Sequence, residues 1–301
     1  MIPKDICDLV EDYLNEKIEN FEIQEHEGNQ KGQGHLGEIV FLSLKNKKTG
    51  KKHHLVVKQC LTGSEETSKL MSACFNNEVH FYTKVVPAIE AFQKSYPRAE
   101  IFSHLPRCFA TSSKRGKEKL VMENLKIQDY KIHPKKVPLN SKMYEIIFKT
   151  YGKFHGICYA FKHYHPDQVT ELGKGYQSTM KMFFDGGFMQ KAITGNCNKT
   201  KEFLEEEGEI KILDSFKKYC DNGPQMFLDA LDYKSPYSIF IHGDCWSNNM
   251  MFKYNTPNIA ELMDPDSTED IMSQIMHKTD SVGYKRASLS VIRHLYKNNF
   301  L

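Results

Sequence analysis

The first quarter of the chain shows the apolar periodicities of a helix and then of strands. Residues 39–44 read Ile-Val-Phe-Leu-Ser-Leu, which is the composition of a strand, and residues 54–60 have the composition of its return strand. Between them, Asn46 to Gly50 is typical of a hairpin turn. An amphipathic helix before these strands is predicted by apolar residues at helical spacing: Ile6, Leu9, Val10, Tyr13, Leu14 and Ile18.

The remainder of the chain has mostly helical periodicity. Pro87 is expected to break or kink the first long helix, because proline removes an amide donor and clashes with the preceding turn. This order of elements predicts an α+β fold. After the first hairpin, the predicted segments are a helix at 65–96, strands at 107–110 and 119–122, helices at 141–162 and within 166–234, a strand at 237–241 and a hairpin within 250–263. Turns are expected at 186–187 and 195–196.

Composition narrows the class of protein and its environment. The 301-residue chain is 40% hydrophobic and 26% charged, which is ordinary for a globular protein. Its net charge of +3 is too small to indicate binding to nucleic acid or to an anionic membrane. The N-terminus is too charged for a signal peptide, and no run approaches the roughly 18 apolar residues of a membrane helix. The eight cysteines form no Cys-x-x-Cys pair, so we expect reduced thiols and no zinc site. Reduced thiols indicate a cytoplasmic protein. The sequence does not determine its oligomeric state.

One segment carries the clearest chemical signal. Residues 238–252 read Ser-Ile-Phe-Ile-His-Gly-Asp-Cys-Trp-Ser-Asn-Asn-Met-Met-Phe, so Asn249 stands five residues after Asp244. Phosphoryl transfer uses such a pair on one loop. The aspartate accepts the proton of the attacking hydroxyl, and the asparagine amide oxygen holds Mg²⁺. The alternative is a turn after a buried strand, with Asn249 only capping the turn.

The whole run resembles the catalytic loop of the ecdysteroid kinase-like family, which reads His-Gly-Asp-x-Trp-x-x-Asn-x-Met-Phe. This family, also called CHK kinase-like, is a branch of the aminoglycoside/choline-kinase clan. The resemblance covers residues 1 to about 264. It implies a two-lobed protein-kinase-like fold, with a small β-rich N-lobe over residues 1–125 and a helical C-lobe over residues 126–301.

The resemblance also implies roles for a lysine and a glutamate. Lys58 ends the predicted return strand, where the kinase lysine binds the α- and β-phosphates of ATP and pairs with a glutamate on the next helix. Glu78 lies in Asn-Glu-x-x-Phe-Tyr at residues 77–82, which matches the helix signature of the family. Taken alone, Lys58 would be a solubilising lysine on an edge strand, and Glu78 part of a solvated helix face.

Backbone contacts to the nucleotide are implied at two further places. Gly32 and Gly34 precede the first predicted strand and match a glycine-rich turn whose amides approach phosphates, although plain loops show the same spacing. Glu123 and Leu125 belong to a segment that matches the hinge of the family. There the edge of a strand offers backbone groups to adenine.

The match weakens at the expected second metal ligand. Family members have Ile-Asp-Phe-Gln at this point, whereas this chain has Leu-Met-Asp264-Pro265-Asp266. Asp264 is the expected ligand of Mg²⁺ beside Asn249, and Asp266 is the alternative. Proline restricts the residue before it and removes an amide donor. Family members usually extend further at the C-terminus. This chain is therefore expected to be a truncated or alternatively spliced product.

The leading hypothesis is an ATP-dependent small-molecule kinase that phosphorylates a substrate hydroxyl, with ATP and Mg²⁺ as cofactors. Asp244, Asn249 and Lys58 are its predicted catalytic residues. By resemblance, an ecdysteroid-like steroid alcohol is one acceptor, and aromatic residues such as Tyr151 in the 140–235 region suit an apolar acceptor. The clan also phosphorylates amino alcohols and sugars. The alternative is a catalytically impaired kinase fold that acts as a nucleotide-binding or regulatory module, which the altered Asp264–Pro265 element favours.

Overall fold

The structure is a computed structural model, which describes residues 2–26, 37–61, 63–96, 101–134, 137, 139–254 and 282–298. Contacts divide the described chain into two compact units. The first unit holds the described residues of 1–132, 141–179 and 239–255, and the second unit holds the others. The lobe boundary near residue 125 stays a prediction.

A five-stranded antiparallel sheet forms the centre of the first unit. Its strands are β1 (Phe21–His26), β2 (Gly37–Asn46), β3 (Lys52–Cys60), β4 (Cys108–Ser112) and β5 (Lys119–Glu123). Their spatial order is β1-β2-β3-β5-β4, so β3 lies in the middle. A separate antiparallel pair is formed by β6 (Tyr130–Ile132) and β7 (Met251–Lys253).

The alternation of side chains along the strands gives this sheet two apolar faces. One face packs against helix α1 (Lys4–Leu14), whose Ile6 and Val10 are fully buried. The other face packs against helix α2 (Glu65–His80), through Phe75 and Val79. The sheet is therefore held between two helices, and α2 is the helix that carries the predicted site residue Glu78.

The remaining described helices follow the sheet region, except for α3, which continues from α2. They are α3 (Val86–Lys94), α4 (Ser141–Tyr164), α5 (Pro166–Lys174), α6 (Thr179–Asp185), α7 (Phe188–Glu206), α8 (Ile210–Asp232) and α9 (Val282–Lys297). In the second unit, α7, α8 and α9 share one apolar cluster that includes Leu204, Phe216 and Leu289. None of the described helices is both long and apolar enough to cross a membrane. The predicted α+β fold is confirmed.

Residues 65–94 are helical as predicted, but the hydrogen-bonding pattern changes just before Pro87. A π-helical turn covers Phe81–Val85, between the end of α2 and the start of α3. The ring of a proline clashes with the carbonyl four residues earlier, here that of Thr83. The wider turn lets the chain pass Pro87 without ending the helix. Val85 thereby stays buried in a cluster with Phe154 of α4.

The predicted strand at residues 237–241 is wrong. These residues are irregular and follow a turn at Pro236–Tyr237, and they pair with none of the described strands. Ile239 and Phe240 instead pack against the helical cluster around Phe154. An apolar run of this length suits a segment that lies against helices as well as it suits a strand.

The predicted turn at Gly195 is also wrong, because Gly195 lies inside α7. A glycine inside a helix costs about 1 kcal/mol relative to alanine, less than the burial of Phe203 and Leu204 on the same helix stabilises.

Strands β1 and β6 were not predicted. The first strand of the predicted hairpin at 250–263 is present as β7, but it pairs with β6; its expected partner, residues 259–263, lies outside the described residues.

Ile6→Ala should lower the free energy of unfolding by about 2–5 kcal/mol, because it removes a fully buried side chain between α1 and the sheet. Urea denaturation followed by circular dichroism measures this change. The matched control is Ile146→Ala on α4, where the isoleucine is 46% exposed and the change should stay within about 0.5 kcal/mol. Equal losses in the two variants would contradict the packing of α1.

Candidate active site

The register of the sheet directs Lys58 toward α2. Lys58 of β3 lies opposite Leu120 of β5, and opposite residues of an antiparallel pair point to the same face. Leu120 belongs to the face that packs against Phe75 and Val79 of α2. Lys58 shares this face, and its Nζ lies 5.4 Å from the centre of the Phe75 ring.

Glu78 of α2 meets Lys58 at this face. Its Oε2 lies 2.5 Å from Lys58 Nζ, and the two side chains are 27% and 31% exposed. A partly buried carboxylate at this distance restricts the ammonium group to one position. The predicted contact between Lys58 and Glu78 is confirmed. The role of Lys58 in binding phosphates stays a prediction.

The loop from His242 to Asn249 is closed by its own polar groups. Gly243 has a φ of +78°, a left-handed conformation that glycine adopts without strain. The backbone amide of Asp244 donates to His242 Nδ1 at 3.2 Å. Asn249 Nδ2 donates to the Asp244 carboxylate at 2.7 Å and to the Asp244 carbonyl at 3.1 Å. Asp244 and Asn249 therefore lie together on one tight loop.

Within the part of the chain that the structure describes, one carboxylate oxygen of Asp244 and the amide oxygen of Asn249 accept no hydrogen bond. Because the amide nitrogen of Asn249 faces Asp244, its amide oxygen is turned away from that carboxylate. The second carboxylate oxygen of Asp244 accepts no hydrogen bond from the described residues, and Asp244 is exposed. One loop thus presents a carboxylate oxygen that can accept a proton and an amide oxygen that can bind a hard cation.

The end of the His242–Asn249 loop is anchored by β7. Residues 247–249 form a short 3₁₀ turn, and β7 begins two residues after it. In the pairing with β6, Met251 lies opposite Ile132 and Phe252 opposite Lys131. The loop is therefore attached to the chain segment that follows the main sheet.

Two ionisable side chains connect this loop with α2 and α4. Burial raises the pKa of Cys74, the charge of Asp244 raises it further, and Lys58 lowers it. Glu78, one helical turn after Cys74, also raises this pKa, so three charged side chains act on a single thiol. Burial also raises the pKa of Tyr151 on α4, as does a hydrogen bond to Cys245 beside Asp244. Lys58, Glu78 and Asp244 are thus all close enough to Cys74 for their charges to change its pKa.

Glu123 ends β5, and its carboxylate is held by neighbouring groups. It accepts hydrogen bonds from the backbone amide of Arg107 at 3.1 Å and from Gln128 Nε2 at 2.7 Å. Burial raises the pKa of Glu123, but these hydrogen bonds outweigh burial and bring the pKa below its usual value. Leu125 begins a 3₁₀ turn. The contacts of Glu123 and Leu125 with a nucleotide stay predictions.

Three predicted site residues lie outside the described residues. Gly32 and Gly34 belong to the predicted glycine-rich turn, and Asp264 is the predicted second metal ligand. The alternative ligand, Asp266, lies outside them as well. Their roles stay predictions.

A protein-family model matches residues 32–264, which is more than half of the chain. The family it describes is the ecdysteroid kinase-like family. The chain belongs to this family. Comparison with curated proteins found no match, and neither did comparison with solved structures. Membership accords with the kinase-like arrangement of a small antiparallel sheet followed by helices.

Sequence reasoning missed part of the site of this ecdysteroid kinase-like chain. Cys74 was not predicted, although its position one turn before Glu78 places it on the same helix face. Tyr151 was predicted only as one aromatic residue of an acceptor pocket, and it lies beside Cys245 of the loop. Helical periodicity was its only signal, and periodicity does not show which loop a helix contacts.

Asp244→Asn should lower the pH at which Cys74 is half-reactive toward a thiol reagent, because it removes one of the charges that raise the pKa of Cys74. Timed alkylation at several pH values, read by mass spectrometry, gives this midpoint. Cys108 is the internal control, since burial and the charge of Glu78 raise its pKa to about 11 and Asp244 is not among the groups that act on it. Equal shifts at both cysteines would contradict the placement of Asp244 beside Cys74.

Proposed function

We propose that this chain is an ATP-dependent kinase that transfers a phosphoryl group to a hydroxyl of a small molecule. The observations that carry the proposal are the pairing of Asp244 with Asn249 on one loop and the Lys58–Glu78 ion pair, with the charges of Asp244, Lys58 and Glu78 all acting on the pKa of Cys74. Phosphoryl transfer needs a proton acceptor, a metal ligand and a phosphate-binding cation close together. Membership of the ecdysteroid kinase-like family supports the same reaction class.

Asp244 orients the acceptor hydroxyl and takes its proton. One oxygen of the carboxylate is held by Asn249, which fixes the plane of the group. The other oxygen is open and exposed, so a hydroxyl can reach it. His242 accepts a hydrogen bond from the Asp244 amide and thereby supports the loop backbone.

Lys58 binds the phosphates of ATP. Its ammonium group is held by Glu78 and lies on the face of the sheet that packs against α2. A fixed cation needs no rearrangement as negative charge develops on the transferred group. Glu78 acts through Lys58 and does not itself touch phosphate.

The residues at this site fit a magnesium ion. The open amide oxygen of Asn249 is a hard oxygen ligand of the kind that Mg²⁺ prefers. Asn249 would hold the ion together with Asp264. When bound, Mg²⁺ neutralises charge on the phosphate oxygens. On the nucleotide side, Gly32 and Gly34 would offer backbone amides to phosphates, and the backbone at Glu123 and Leu125 would contact adenine.

A steroid alcohol of the ecdysteroid type is the acceptor we favour. The family description supports this class, and Tyr151 places an aromatic ring beside the loop that carries Asp244. All eight cysteines are free thiols, which accords with a reducing compartment, and we propose that the reaction takes place in the cytoplasm.

Asp244→Asn should lower turnover by about 10²- to 10⁴-fold and leave the affinity for ATP nearly unchanged, because the carboxylate acts on the acceptor hydroxyl. ADP release in the presence of steroid, choline-like and sugar alcohols measures turnover, and calorimetry measures ATP binding. The control is Asp214→Asn, an exposed aspartate on α8. Unchanged turnover in Asp244→Asn would overturn the assignment of this loop.

Asn249→Ala should lower turnover and raise the Mg²⁺ concentration needed for half-maximal activity, because it removes a ligand oxygen. A magnesium titration at saturating ATP separates the two effects. Asn222→Ala on α8 is the matched control, since the one hydrogen bond of that side chain to the described residues goes to a carbonyl of its own helix. If Asn249→Ala keeps the wild-type magnesium dependence, Asn249 is not a metal ligand.

A further inference from the structure

Helix α2 is held by a second part of the chain, on the side opposite the sheet. The side chain of Asn77 forms two hydrogen bonds with the backbone of Gln177, which follows α5. Asn77 Nδ2 donates to the Gln177 carbonyl at 2.9 Å, and the Gln177 amide donates to Asn77 Oδ1 at 2.8 Å. Because both backbone groups of one residue are engaged, α2 cannot slide or rotate without breaking both bonds.

His80 makes a second attachment one turn further along α2. Its Nε2 donates to the carbonyl of Leu172 at 2.9 Å, and its ring lies edge-on to Tyr176 with the ring centres 5.0 Å apart. The ring occupies the space beside Gly175, where a Cβ atom would lie 2.1 Å from a ring carbon. Gly175 therefore permits a close approach of helix and loop that a larger residue would prevent.

The segment Leu172–Gln177 also contacts the chain that leads into the His242–Asn249 loop. The ring of Tyr176 lies 5.9 Å, centre to centre, from the ring of Phe240. Phe240 stands four residues before Asp244, and its backbone forms a hydrogen bond with Cys158 of α4. Both Tyr176 and Phe240 pack against the buried cluster around Phe154. The Leu172–Gln177 segment thus touches α2 on one side and the approach to Asp244 on the other.

We propose that Asn77, His80 and Tyr176 are positioning residues, which hold the Lys58–Glu78 pair and Asp244 at a set separation. This inference rests on the proposed kinase function. Each half of the site keeps its own internal contacts: the sheet and α2 form the Lys58–Glu78 pair, and the loop forms the Asp244–Asn249 pair. Neither set of contacts fixes the distance between the halves. The contacts of the Leu172–Gln177 segment link the two halves, together with the β6–β7 pairing and the shared apolar cluster around Phe154.

The consequence falls on the transfer step more than on nucleotide binding. ATP binding engages the Lys58–Glu78 pair, which stays intact when the hydrogen bonds of Asn77 are lost. Transfer needs the acceptor hydroxyl on Asp244 in line with the phosphate on Lys58, so a displacement of about 1 Å between the halves costs on the order of a hundredfold in rate. Loss of the attachment should therefore lower kcat while the KM for ATP changes little.

The test compares Asn77→Ala with Asn76→Ala. Asn76 is the adjacent asparagine on the same helix, and among the described residues its side chain bonds only to Ser72, one turn away. We expect Asn77→Ala to lower kcat about tenfold or more, with the KM for ATP within about threefold of the wild type. His80→Ala should act in the same direction, and His80→Gln, which keeps a donor for the Leu172 carbonyl, should recover part of the loss. Asn76→Ala should behave as the wild type.

The reactivity of Cys74 tests the inference independently of any turnover measurement. In Asn77→Ala, the pH midpoint of Cys74 alkylation should fall, because Asp244 moves away from α2, while the midpoint of Cys108 on the sheet side stays unchanged. Unchanged kcat, or an unchanged Cys74 midpoint, overturns the inference. Equal losses in Asn76→Ala overturn it too, since they would reflect general loosening of α2. If the wild-type chain phosphorylates no acceptor but the Cys74 midpoint falls as expected, the proposed function fails and the positioning contacts stand.

Discussion

The ion pair between Lys58 and Glu78 sets the main constraint on the first unit. A partly buried ammonium group must keep its carboxylate within hydrogen-bond distance, since loss of one partner would leave a charge poorly solvated. The two residues come from different elements, β3 and α2. The pair therefore forms only if α2 lies against the sheet in one register, and the burial of Phe75 and Val79 against Leu120 provides that register.

Helix α2 also has polar contacts on its other side. Apolar packing of the Leu172–Gln177 segment against α2 would not be directional. Hydrogen bonds from Asn77 and His80 to backbone groups of that segment are directional, and they fix the position of the segment relative to α2. One helix thus carries a face that packs, an edge that bears the glutamate, and a face that is hydrogen-bonded.

The parts of the site that the sequence could predict are those whose signals are local. Asp244 and Asn249 lie on one loop, and Lys58 and Glu78 follow the order of strand and helix, so spacing and resemblance suffice for both pairs. The contact of Asn77 with Gln177 could not be predicted, because 100 residues separate them and the partner is a backbone group that any residue has. The strand predicted before Asp244 was wrong for a related reason. Two of its apolar residues, Ile239 and Phe240, pack against helices distant in sequence instead of pairing with a strand.

The most direct test of the Lys58–Glu78 constraint is a double-mutant cycle on the affinity for ATP with Mg²⁺, measured by calorimetry. The variants are Lys58→Met, Glu78→Gln and the double variant. Because Glu78 acts only through Lys58, Glu78→Gln should weaken binding in the wild-type chain but change it by less than about twofold in the Lys58→Met background. If the two losses multiply in the double variant, the residues act independently, and the ion pair does not hold the lysine for ATP.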